Sequence, residues 1–155
     1  MILNYTTKID PDKTAAEIAK CLSMHGAQAV MTEYDPTTNA VTSISFKIKI
    51  NEQVIGFRLP CDPAPVYEIL IEGKKLYSDW DPRQKRQKSE VEAQAVRTAW
   101  RIVKDWVEAQ MALVETRMVT TAQVFLPYAV MKDGHTLSEH IAGDPSFLLG
   151  DGKNL

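Results

Sequence analysis

The sequence predicts an α+β fold: a small, mainly antiparallel sheet with two short helices, followed by a long helix and an irregular helical C-terminus. Two patterns carry that expectation. Ile44, Phe46, Ile48 and Ile50 alternate with Ser43, Ser45, Lys47 and Lys49, the period-two signature of a half-buried strand. Val96, Ala99, Trp100, Val103, Trp106, Val107, Gln110, Met111 and Val114 recur at helical spacing and form one broad apolar stripe. The composition agrees: 155 residues, 45% hydrophobic and 25% charged, suit a single globular domain and not a disordered or fibrous chain.

Taken in order, residues 2–9 are β-prone and end at Asp10-Pro11. Thr14 and Glu17 have the spacing of a capping box, and Ala15, Ile18, Ala19 and Leu22 then mark an amphipathic helix closed by Gly26. Residues 27–34 read as a strand, ended by the turn cluster Asp35-Pro36-Thr37-Thr38-Asn39. The alternating strand follows, then a second run with Ile55, Phe57 and Leu59 on one face and Gly56 and Arg58 on the other. A loop centred on Glu52-Gln53 would set Ile50 opposite Ile55, Ile48 opposite Phe57 and Phe46 opposite Leu59. Lys47 would then face Arg58. Like charges across a strand pair are unfavourable unless they splay into water, an acid such as Glu33 neutralises them, or an anion sits between them. Asp62-Pro63 reads as the start of a second helix with Val66, Ile69 and Leu70 inward and Gly73 at its end.

The character of the chain then changes. Residues 74–88 hold Lys74, Lys75, Arg83, Lys85, Arg86 and Lys88 against Asp79 and Asp81, a net +4 that leaves −6 for the rest. With a turn at Asp81-Pro82 and no hydrophobic period, the stretch reads as an exposed basic loop carrying Tyr77 and Trp80. Three parts of one domain follow: residues 1–76 as the α+β core, 77–88 as the basic loop, and 89–155 as the long helix with its helical C-terminal segment. Ser89 and Glu92 have capping-box spacing, and a helix from there to Thr116 would be about 40 Å long. A core of this size cannot cover that length, so part of the stripe is expected to meet the last third of the chain or a second copy. In that last third Pro127 interrupts a helical stretch, Thr136 and Glu139 begin a final turn or two, Gly143-Asp144-Pro145 ends it, and GDGKNL reads as a mobile tail.

Several function classes are disfavoured. A net charge of −2 and a pI near 5.9 do not suit a protein that coats nucleic acid. No stretch reaches the ~18 apolar residues of a membrane span, and the start is no signal peptide, so a cytoplasmic location is expected. Cys21 and Cys61 form no CxxC pair. Cys61 lies near a helix start that could lower its pKa, while Cys21 reads as a small buried hydrophobe. His135, Glu139 and His140 near Asp133 are the one cluster of ligand-type side chains, but histidines five apart do not share a helix face. No cofactor fingerprint, nucleophile elbow or phosphate loop is present.

The segment AVRTAWRIVKDWVEAQMALVETRMV, with VFLPYAV after it, ILNYTTKI at the start and FRLP between, resembles a group of small, mostly uncharacterised proteins encoded by bacteriophages and prophages. The resemblance spans nearly the whole chain. It implies a phage protein acting inside a bacterial host, and it implies no activity and no residue roles.

The function expected from these residues is non-catalytic binding and sequestration of a phosphate-containing small ligand, and the phage resemblance implies that this ligand is a host immune nucleotide signal. Arg83, Lys85, Arg86 and Lys88 would supply charge, with Arg97 and Arg101 just inside the helix. Arg58 and Lys47 would add a second anion contact, and Trp80 or Tyr77 would stack a base. Self-association through the long helix would bury the ligand. Two alternatives stand beside this: a single-strand-binding accessory of phage recombination or replication, and an interaction module that inhibits a host enzyme. The acidic remainder of the chain favours a compact ligand over a long polymer.

Overall fold

The computed structural model describes residues 1–148, so the tail GDGKNL lies outside the described residues. The fold is α+β. Helix α1 (Pro11–Met24) leads into a three-stranded antiparallel sheet of β1 (Ala29–Tyr34), β2 (Val41–Ile50) and β3 (Gln53–Arg58), in the order β1-β2-β3. Helix α2 (Ala64–Glu72) and the 34-residue α3 (Pro82–Glu115) follow. A short α4 (Thr121–Phe125), a 3-10 turn over Leu126–Tyr128, α5 (Leu137–Gly143) and a last 3-10 turn over Pro145–Leu148 complete the described chain. Among the described residues, no helix is long and apolar enough to cross a membrane.

One face of the sheet is the core. Ile44, Phe46 and Ile48 from β2 and Phe57 from β3 pack with Ala15, Ile18 and Leu22 of α1 and with Trp100, Val103, Val107 and Met111 of α3. The buried Trp100 indole N–H donates to the Val41 carbonyl at 3.2 Å, so its polar atom is satisfied. The far end of the α3 stripe is covered by the C-terminal segment. Phe125 sits edge-on to Phe46 and to Trp106, with ring centroids 5.2 and 5.5 Å away, and Trp106 also meets Tyr128.

Four sequence expectations are corrected. Residues 2–9 form no strand: they turn at Asn4 (φ 61°) and are strapped to α3. Gln94 Nε2 donates to the carbonyls of Tyr5 and Thr7, and Thr98 Oγ1 donates to that of Asn4. Side chains of α3 thus satisfy backbone groups that a partner strand would otherwise engage. Both capping-box readings were placed too late. Asp10 caps α1 with Pro11 in the first turn, which puts Thr14 inside the helix, buried. Asp81-Pro82 is the cap and first residue of α3, not a loop turn; the Asp81 carboxylate accepts the Arg83 N–H at 2.9 Å. The segment 82–88 is therefore helical, and α3 is about 51 Å long. In α2, Ile69 is not inward but 51% exposed.

The fourth correction is the hairpin register. Its loop is Asn51-Glu52, both with positive φ (47° and 67°), as a type I′ turn requires. Ile50 therefore pairs with Gln53, Ile48 with Ile55 and Phe46 with Phe57. Lys47 faces Gly56 and Arg58 faces Ser45, so the like-charge pair is diagonal and not direct.

Candidate functional site

Helix geometry divides the basic segment. At about 100° per residue, Arg83 and Arg86 fall on one side of α3, and Lys85 and Lys88 fall on the opposite side. A loop could have gathered all four around one ligand; a helix cannot. Arg97 continues the Arg86 side, but eleven residues further along α3, about 16 Å away.

On the Arg83 side lies the elbow between α2 and α3. Lys74, Tyr77, Arg83, Arg86, Gln87 and Glu90 line a shallow depression of about 330 Å³ there. The Arg83 guanidinium lies over the Tyr77 ring, 4.2 Å from its centroid. Its edge is held by both oxygens of Asp81, with Nη2 to Oδ2 at 2.6 Å. That pair holds the Asp81 carboxyl below the usual range and raises Arg83 above its own. Arg86 donates only its Nε to Glu90, at 3.0 Å, and Lys74 forms no ion pair among the described residues. Two glutamines brace the elbow. Gln84 donates to the Tyr77 carbonyl and to Asp79, while Gln87 accepts the Tyr77 N–H and donates to the Lys75 carbonyl. Beside this braced turn, Trp80 is 95% exposed.

The remaining candidates lie elsewhere. Arg101 is mostly buried between α1 and α3, paired with Glu17 and within reach of the Thr14 hydroxyl, a structural contact between helices. Arg97 donates to Gln94 Oε1 and lines a separate hollow with Asp10 and Asp12. Lys47 and Arg58 project from the sheet face away from the core. The candidate residues therefore occupy several surfaces. Tyr77, Arg83 and Arg86 share the depression, Trp80 stands on the same turn without lining it, and the others do not contribute to it. Sequence reasoning missed Gln84 and Gln87, whose signal was their place on the helix side next to Arg83 and Arg86, legible only once 82–88 is read as helix.

The nucleophile and metal candidates also take definite form. Burial pushes the Cys61 thiol up to about 12, the reverse of activation by a helix start. Burial also raises Cys21, with Glu108 and Glu115 adding to it. His135 and His140 do approach, with ring centroids 6.1 Å apart, because His135 lies before the helix and not on it. Each is engaged by its own carboxylate: His140 with Asp133 at 2.8 Å and His135 with Glu139 at 3.3 Å. Among the described residues, no group of three or more such side chains is placed to hold an ion.

No protein-family model, curated protein or solved structure matches the chain.

Proposed function

We propose that this is a phage-encoded, non-catalytic binding protein that captures a phosphate-containing small ligand, a host nucleotide signal, at the α2–α3 elbow. The observation that supports the reading is the braced aromatic–cation arrangement. Tyr77 carries the Arg83 guanidinium on its face, Arg86 and Lys74 line the same depression, and Trp80 stands almost fully exposed beside it. In this reading Arg86 and Lys74 meet the phosphate, since Asp81 already holds the Arg83 fork. Trp80 covers the base. The elbow is open on its outer side, so a second copy closing over it fits the reading.

The test is calorimetric titration with a panel of cyclic mono-, di- and oligonucleotides, followed by heat release and identification of the ligand. Recovery of intact ligand is expected. Arg86→Lys and Trp80→Ala should each weaken binding, because a lysine lacks the planar fork and an alanine lacks the ring. Recovery of altered ligand, or no binding by any member of the panel, defeats the reading.

One observation favours a protein partner as the second reading. Helix α2 is apolar except for Glu68 and Glu72, yet none of its residues is buried. With Ile69, Tyr77 and Trp80 exposed in sequence around it, α2 has the surface of a contact helix. Ile69→Glu would abolish partner capture in that case and leave nucleotide binding unchanged. Single-strand binding is tested by anisotropy with oligo-dT at two salt concentrations, where that alternative requires a steep salt slope.

A further inference from the structure

The sheet face opposite the core carries a second concavity, remote in character from the elbow. Ala29, Met31, Ser45, Lys47, Gly56, Arg58 and Val130 surround about 400 Å³ of open volume, with Phe46 and Phe57 beneath. The strand register explains the hollow. Lys47, on the central strand, has the two smallest outward side chains as its cross-strand neighbours, Ala29 on β1 and Gly56 on β3. One step along, Ser45 lies between Met31 and Arg58. Small residues thus form the floor, Met31 and Val130 form the walls, and two cations stand diagonally across it.

Gly56 is the informative residue. Glycine weakens a strand interior, so it calls for a reason. Here neither backbone nor packing supplies one. Gly56 has no left-handed φ, and a Cβ built on it would meet nothing within 4 Å. Its carbonyl accepts the Val130 N–H at 2.8 Å, a bond that any residue could make. What the missing side chain does is keep the floor open. A strand glycine with free space above it is the arrangement that lets a ligand approach the sheet closely.

The charges indicate the ligand. Lys47 forms no ion pair among the described residues, and Arg58 donates to the Gly134 carbonyl at 3.3 Å. The nearby acids are turned to other partners: Glu33 accepts from Ser43, and Glu52 pairs with Lys49. Glu139, which feels the Arg58 charge, is bound to the Thr136 N–H and faces His135. An apolar hollow with two cations and no carboxylate turned into it is complementary to an anion with an apolar body. No exposed ring lines it to stack a base.

We propose that this outer sheet face binds an aliphatic carboxylate, its chain along the Ala29–Gly56 floor between Met31 and Val130, its carboxylate between Lys47 and Arg58. The inference is independent of the elbow reading.

The experiment is an amide chemical-shift titration of the full chain with sodium octanoate, with acetate and octanol as the charge-only and chain-only probes. Saturable shifts confined to residues 29–31, 45–47, 56–58 and 130 are expected with octanoate, with weaker binding of both comparison probes. Gly56→Val fills the floor, and Lys47→Met removes the charge while keeping the stem. Each should weaken octanoate binding by about tenfold or more, since a charged hydrogen bond or a filled site is worth at least that factor. Trp80→Ala should leave it unchanged. The proposal is overturned by the absence of saturable shifts, by shifts centred on other residues, by octanol binding as tightly as octanoate, or by undiminished binding in Lys47→Met. Should Gly56→Val lose its folded spectrum, Lys47→Met and the octanol comparison still decide the matter.

Discussion

Phe125 ties the C-terminal third to the domain, and replacing it with alanine tests whether that third is structural. The ring is fully buried, edge-on to Phe46 and Trp106 and tilted against Phe57. Removing a buried phenylalanine side chain costs about 3–5 kcal/mol. Each edge-on aromatic pair contributes roughly 0.5–1.5 kcal/mol beyond area burial, which places this site toward the upper end. A loss of about 4 kcal/mol is a large part of the ~5–15 kcal/mol that stabilises a typical domain. It corresponds to a Tm lower by roughly 10 °C in a chain of this length. Phe125→Leu keeps much of the apolar volume but loses both edge-on pairs, and should cost about 1–3 kcal/mol, less than the alanine change. Urea unfolding followed by tryptophan fluorescence measures both, because Trp106 is one of the partners. The β-bridge of Ala129 to Phe57 should open with the alanine variant, exposing those amides to hydrogen exchange. A loss below about 1 kcal/mol for Phe125→Ala would refute the packing argument, since no buried ring in such contacts is that cheap to delete.

Three further outcomes are expected. His25 caps α1 with Nδ1 2.7 Å from the Cys21 carbonyl and Nε2 2.6 Å from Glu115, so both nitrogens are satisfied only in the imidazolium; the Cys21 carbonyl and then Glu115 raise its pKa. A raised folded value stabilises the fold below the unfolded pKa of ~6.5, and that gain is lost as pH rises through the folded value. It is less than about 1 kcal/mol because Glu115 is largely exposed, and His25 titration by NMR should move down in Glu115→Gln. Gln94→Ala removes the strap on Tyr5 and Thr7 and should cost about 1–2 kcal/mol in urea unfolding, with amide protection lost over residues 4–7. Trp80→Ala should leave the unfolding free energy from urea titration within about 0.5 kcal/mol of the parent, because an exposed ring holds nothing together.

The fold class was legible because periodicity reports burial directly. The faces of β2 and β3 were read correctly, yet their register was off by two residues. A shift of two preserves the alternation, so every inward residue stays inward and the pattern cannot detect the error. Only the turn decides it, and Asn51-Glu52 is a type I′ loop whose second residue is glutamate where glycine would have announced it. The N-terminal strand failed for a different reason. Residues 2–9 have strand-like composition, but the carbonyls of Asn4, Tyr5 and Thr7 accept from Gln94 and Thr98, more than eighty positions away, and no local rule sees such partners.

The site was less legible than the fold, and the cause is again geometric. Net charge along a segment says nothing about direction until the backbone is known. As a loop, residues 77–88 would present one basic surface; with 82–88 as the first turns of α3, they present two. The Asp81-Pro82 pair decides between these states, because it serves equally as a turn and as a helix cap with proline in the first turn. The helical outcome sets Arg83 on Tyr77 and leaves Lys85 and Lys88 on the far side, facing solvent. A ligand at the elbow therefore meets arginines, an aromatic ring and Lys74, not a diffuse basic strip. That arrangement requires binding to fall sharply with Arg86→Lys and hardly at all with Lys85→Gln or Lys88→Gln. A long polyanion tracking the whole basic stretch would respond in the opposite way, losing affinity by a similar step for each charge removed. Titrating the three single variants with one phosphate-bearing ligand at fixed salt separates the two geometries, and equal losses across all three would rule out capture at the elbow.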